Sequence, residues 1–305
     1  MKKILLHIFL ILLAILVVLC LAGWVTLSIA YRTNGSLIAA GETRRYLLYV
    51  PDSYDPSTPT PLVISFHGLA AWPDQMAKIS RWNDLADEQG FLVVYPMGTG
   101  SPLAWRTDGD PGLAQEVAFI SGLIDQLEGE YHLDPKRIYA NGYSQGGAMS
   151  FALSCELSER IAAIGSAAGG ITLPWDKCSP PRPVPAIVFH GDADPRIPFK
   201  GGPSSMFDFP FPRVDDWVQT LAERNGCLTE PRALPDSSEA SGVQYTGCDQ
   251  GAEVTYYTIH GGGHTWPGGV VGYPLPEWIT GNGYTSDDID ATRLMWDFFL
   301  HHPLE

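Results

Sequence analysis

A chain of 305 residues that is 45% hydrophobic and 17% charged can bury one large core, and 11% aromatic residues is too many for a disordered polymer. Its formal charge of −15 leaves no basic face for phosphates, which excludes nucleic acid as a partner and argues against a polyanionic substrate.

Met1-Lys2-Lys3 precedes a nearly unbroken apolar run over 4–30, interrupted only by His7, Gly23, Thr26 and Ser28. As a helix the run would extend about 40 Å, more than the ~30 Å hydrocarbon core of a bilayer. A cleaved leader usually has an apolar region of only about 7–15 residues, so the run predicts a retained membrane helix. Cleavage after Ser28-Ile29-Ala30 is the alternative. Lys2 and Lys3 would hold the N-terminus in the cytoplasm and place the remainder on the extracellular or periplasmic side. Residues 1–30 are therefore read as a signal anchor or signal peptide, and 31–305 as one domain. Asn34-Gly35-Ser36 is a glycosylation sequon.

Beyond it, strand and helix signals alternate. Strands are expected over 45–50, 61–66 and 91–95, with a helix over 75–89 before the third. Val117, Ile120, Ile124, Leu127 and Tyr131 recur at helical spacing and predict a helix over 116–131. Ile138-Tyr139-Ala140-Asn141 has strand character, and helix formers follow from Ala148. Next come strands over 161–168 and 186–190, a helix over 214–225, a strand over 254–259 and a closing helix over 287–301. This order predicts an α/β fold, a mostly parallel sheet with helices on both faces. Setting Cys20 aside with the apolar run, Cys155, Cys178, Cys227 and Cys248 allow three pairings, which sequence alone does not decide. The spacing suggests the local pairs Cys155–Cys178 and Cys227–Cys248, each worth about 3 kcal/mol.

Between the strand at 138–141 and the helix after it lies Gly142-Tyr143-Ser144-Gln145-Gly146. A G-x-S-x-G pentapeptide in that context is a nucleophile elbow, which lifts the serine hydroxyl onto a helix N-terminus. An alcohol needs an imidazole base and a carboxylate to orient it, in the chain order Ser, Asp/Glu, His. The loop after 186–190 offers Asp192 and Asp194, and the loop after 254–259 offers His260 and His264. Asp194 is favoured because Pro195-Arg196-Ile197-Pro198 stiffens its loop, and His264 because three glycines give it reach. The expected oxyanion donors are the backbone N–H groups of Gln145 and of Leu69, the latter in His67-Gly68-Leu69-Ala70. His67 is expected to be structural. Trp105, Trp266 and the aromatic run over 207–211 are candidate pocket residues. No H-E-x-x-H or C-x-x-C cluster points to a metal, and no motif asks for a cofactor.

His67-Gly68, the 142–147 elbow, His190-Gly191-Asp192-Ala193-Asp194-Pro195-Arg196-Ile197-Pro198-Phe199 and Gly261-Gly262-Gly263-His264-Thr265-Trp266-Pro267-Gly268 together resemble the secreted esterase family of polyhydroxybutyrate depolymerases and feruloyl or acetylxylan esterases. The tail over 287–292 with Trp296, Phe298 and Phe299 is similar too. The resemblance covers nearly all of 39–302. It implies an α/β-hydrolase fold, a Ser144/Asp194/His264 triad, no metal, and the two local disulfides. The substrate it implies is a small or oligomeric carboxylic ester, a feruloyl or acetyl ester of a polysaccharide fragment or a hydroxyalkanoate oligomer. Two departures are the N-terminal run and Gln115-Glu116, where the family more often has paired acids. The competing readings are a serine peptidase of related fold and a surface binding protein on a hydrolase scaffold.

Overall fold

Aliphatic runs bounded by turn formers become the interior of a sheet covered on both faces. The computed structural model describes residues 12–18, 31–109, 111–204, 206–270 and 280–305. In chain order its strands are β1 (Gly35–Ala39), β2 (Glu42–Tyr49), β3 (Thr60–Phe66), β4 (Leu92–Pro96), β5 (Leu133–Tyr143), β6 (Ala163–Ala167), β7 (Ala186–Gly191), β8 (Gly202–Pro203), β9 (Pro210–Phe211), β10 (Arg232–Ala233), β11 (Ala240–Tyr245) and β12 (Val254–Ile259). The helices are α1 (Pro73–Ser80), α2 (Trp82–Gln89), α3 (Gly112–Glu130), α4 (Gln145–Glu156), α5 (Val214–Arg224) and α6 (Ala291–Leu300).

One sheet has the order β1-β2-β4-β3-β5-β6-β7-β12-β11-β10. Its centre, from β4 to β12, is parallel throughout. Both margins are antiparallel: β1 and β2 on one side, β11 and β10 on the other. Every residue of β3, β4, β6 and β7 is buried. One face packs on α3, α4 and α5 through Phe119, Ile124, Leu153 and Trp217. The other carries an aromatic layer under α6, where Trp296 stacks 3.9 Å from Phe91 and Phe299 stacks 4.7 Å from Tyr139. The parallel strands therefore end together, and the loops leaving their carboxyl ends are where a site can be assembled.

Several elements differ from the sequence expectation, each for a local reason. The single helix expected over 75–89 is two, α1 and α2, because Arg81 between them adopts φ 58° and breaks the helical ladder. The closing helix begins at Ala291 rather than 287, since the Asp290 side chain accepts the Arg293 N–H and caps it there. The marginal strands β1, β10 and β11 gave no clear signal because they have a wet face and little apolar content; in β1, Ile38 is 78% exposed.

By its contacts the chain divides into Met1–Arg32 and Thr33–Glu305. Most of the apolar run read as a membrane helix lies outside the described residues; 12–18 are helical. Among the described residues no helix is long and apolar enough to cross a membrane. Cys155 is joined to Cys178 and Cys227 to Cys248. The Asn34 amide is already engaged: its Nδ2 donates to Leu48 O at 2.8 Å and its Oδ1 accepts the Leu48 N–H at 2.7 Å. Its use as a glycan acceptor would cost that clamp.

Candidate active site

β5 runs straight into Ser144, which sits at φ 56°, ψ −120° and donates its N–H to Ala167 O of β6. Such a backbone is strained for a residue with a side chain. The turn tolerates no Cβ on either flank. One on Gly142 would stand 2.2 Å from the Gly146 carbonyl, and one on Gly146 would stand 2.1 Å from Phe66 O. The pentapeptide's glycines are thus required by close backbone approach, and the result is a serine at the N-terminal end of α4.

Three side chains from separate loops meet here. His264 Nε2 lies 2.8 Å from Ser144 Oγ, and His264 Nδ1 lies 2.8 Å from Asp194 Oδ2. All three are at most 7% exposed. Burial alone would raise the Asp194 carboxyl pKa, but the neighbouring His264 and hydrogen bonds from His190 and His264 outweigh it and hold it well below the usual range. Two backbone donors, Arg196 N–H and Ile197 N–H, also reach Oδ1 at 2.7 and 2.9 Å. An ionised carboxylate only accepts, so the proton of neutral His264 sits on Nδ1 and leaves Nε2 to accept from the serine hydroxyl. That is the protonation state in which a serine can become a nucleophile.

Asp192 and His260, the other candidates, pair with each other at 3.4 Å on the surface, and Asp192 Oδ1 braces Gly261 N–H at 2.7 Å. The glycine run before His264 works differently from the reach expected of it. A Cβ on Gly191 would meet Gly262 O at 2.1 Å, and one on Gly263 would meet Asn282 O at 2.1 Å. These glycines let three backbones pack closely and fix the loop. The Tyr143 hydroxyl adds a 2.5 Å bond to His264 O.

His67 is buried and its two nitrogens have unlike partners. Gly98 N–H donates to Nε2 at 3.0 Å, so Nδ1 carries the proton and donates to Gly68 O at 2.7 Å. Burial lowers its pKa to about 4, which keeps it neutral. Because the Gly68–Leu69 peptide is trans, pinning its carbonyl turns the Leu69 N–H to the opposite side. A Cβ on Gly68 would lie 3.2 Å from that of Ser144, so this loop borders the nucleophile. Neither Leu69 N–H nor Gln145 N–H has a hydrogen-bond partner among the described residues.

Trp105 and Trp266, expected in the pocket, are each only 2% exposed. Trp105 braces the same loop: its indole donates to His67 O at 2.8 Å, and its main chain is clamped from both sides by the Gln145 amide at 3.0 Å. The Trp266 indole donates to Thr292 Oγ1 at 3.0 Å and ties the His264 loop to α6. Phe207, Phe209 and Phe211 cluster with ring centroids 5.0–5.5 Å apart. Phe211 closes over Gly170 and Phe209 is 41% exposed. Sequence reasoning missed three partners of the site, namely His190, the Tyr143 hydroxyl and the Gln145 side chain. For His190 the available signal was a histidine at the carboxyl end of a buried parallel strand.

The comparisons with known proteins agree with this architecture. NocK of Nocardia uniformis subsp. tsuyamanensis, named as an esterase, is 31% identical over 266 residues, covering 80% of this chain and 76% of that protein. Feruloyl esterase C of Emericella nidulans is 27% identical over 263 residues, 84% of each chain. Two other relatives are longer, and the chain spans 31% and 44% of their lengths. An acetyl xylan esterase structure from Aspergillus awamori shares the fold at TM-score 0.57 and 14% identity, over 73% of this chain and 89% of that one. The chain is accordingly a carboxylic ester hydrolase of α/β fold. Residues 44–174 match the family described as Esterase PHB depolymerase, and the chain belongs to that family of esterases.

Proposed function

We propose that the enzyme hydrolyses esters through an acyl intermediate on Ser144, with His264 as base and then acid, and Asp194 orienting it. The observation that carries this reading is the pair of 2.8 Å contacts linking Ser144 Oγ to His264 and His264 to Asp194. The serine proton passes to His264 Nε2 as Oγ bonds to the ester carbonyl carbon, and the carbonyl oxygen takes up the negative charge. Leu69 N–H and Gln145 N–H receive that oxyanion, each worth about 3 kcal/mol of barrier. Imidazolium Nε2–H then protonates the departing alcohol as the tetrahedral centre collapses. Water repeats the sequence on the acyl-enzyme, releasing the acid and restoring the serine.

The substrates are feruloyl or acetyl esters of polysaccharide fragments, or hydroxyalkanoate oligomers, in keeping with the feruloyl and acetylxylan esterases among the relatives and with the description of the matched family. The half-open Phe207–Phe209 aromatic surface suits a flat or apolar group. We place residues 31–305 as the catalytic domain and 1–30 as its anchor or leader. The two disulfides fit an oxidising, extracellular compartment. Hydrolysis of methyl ferulate, acetylated xylo-oligosaccharides and hydroxybutyrate oligomers, each assayed with Ser144→Ala alongside, tests the proposal. At least one ester should turn over, and the variant should be inactive on it; retained turnover would remove Ser144 from the chemistry.

A further inference from the structure

Asp194 has a second imidazole beside it. His190, on the penultimate residue of β7, is 1% exposed, and its Nε2 lies 3.3 Å from Asp194 Oδ2, the same oxygen that meets His264 Nδ1. Its Nε2 is also 3.0 Å from Ile197 O. Both neighbours are acceptors, so in the neutral ring Nε2 bears the proton and shares it between them. His190 Nδ1 is buried with no hydrogen-bond partner among the described residues. A buried ring nitrogen left unpaired is costly, and a leucine of similar size would avoid that cost. The ring is held there by what its other nitrogen does.

We infer that His190 is a positioning residue for Asp194. Its shared N–H faces one lone pair of Oδ2 while Arg196 N–H and Ile197 N–H hold Oδ1, which fixes the carboxylate's rotation and leaves the other Oδ2 lone pair aimed at His264 Nδ1. The inference rests on the triad reading above. It adds a fourth side chain that never touches substrate.

The test compares His190→Leu, which removes the donor, with His190→Gln, whose amide reaches the same place, and His190→Asn, whose amide falls short. With an ester turned over by the wild type, kcat of the Leu variant should fall about 10- to 100-fold with KM unchanged. Gln should recover most of the loss and Asn little of it. The downfield proton resonance of His264 Nδ1 should shift in His190→Leu and return in His190→Gln. If the Leu variant does not fold, the Gln–Asn difference carries the test. Folded variants with wild-type kcat, a Gln variant no better than Asn, or an unmoved resonance would overturn the inference and leave the triad standing. A Ser144→Ala enzyme that still turns over ester would instead remove the triad reading itself.

Discussion

His67 shows how one side chain couples stability to the site. Folded, it holds a proton more weakly than the ordinary histidine value of about 6.5, its pKa being about 4. The unfolded chain therefore binds the extra proton as pH falls. This contribution to stability is complete above about pH 6.5 and drains away as pH drops toward about 4, on the order of 3 kcal/mol in all. Urea unfolding of wild type and His67→Gln at pH 7 and pH 4.5 should show a shallower pH dependence in the variant; parallel curves would contradict the assignment. The roles of Ser144, Asp194 and His264 could be argued from sequence because each stands in a loop at a strand's carboxyl end, in the order the chemistry requires. Trp105 and Trp266 could not be placed that way. Whether an aromatic lines a pocket or braces a loop depends on neighbours far along the chain, here His67 and Thr292.

Among the secondary-structure elements, α3 is tied to the sheet margin by a buried charge. Glu116, fully buried, meets Arg44 at 2.7 Å and Arg106 at 2.7 Å, and the Arg44 guanidinium lies 4.1 Å above the Phe119 ring. Sequence marked Gln115-Glu116 as a departure from the family's paired acids, and the structure shows why the glutamate matters: without it Arg44, 2% exposed, would keep its charge with no carboxylate. Glu116→Ala should destabilise the fold by about 3–5 kcal/mol in urea unfolding; a loss under about 1 kcal/mol would contradict the account. The central strands were legible because burial on both faces writes a continuous apolar run. The break at Arg81 was not, since a left-handed residue between two helices has no signature in hydrophobic spacing.

Taken as one object, the domain is a sheet whose strand ends deliver loops that are then locked by crosslinks and close backbone contacts. Cys155–Cys178 spans 23 residues and Cys227–Cys248 spans 21, and each loop closure is worth about 3 kcal/mol. Reduction under native conditions should lower the unfolding temperature, and replacing either pair by alanines should reproduce part of the drop; an unchanged temperature after verified reduction would contradict it. The most direct measurement of the central claim is labelling by a fluorophosphonate, mapped by peptide mass spectrometry, in wild type and His264→Ala. The geometry predicts one adduct per chain, on Ser144, and a strongly slowed reaction in the variant. An adduct at another residue, or labelling as fast without the imidazole, would contradict it.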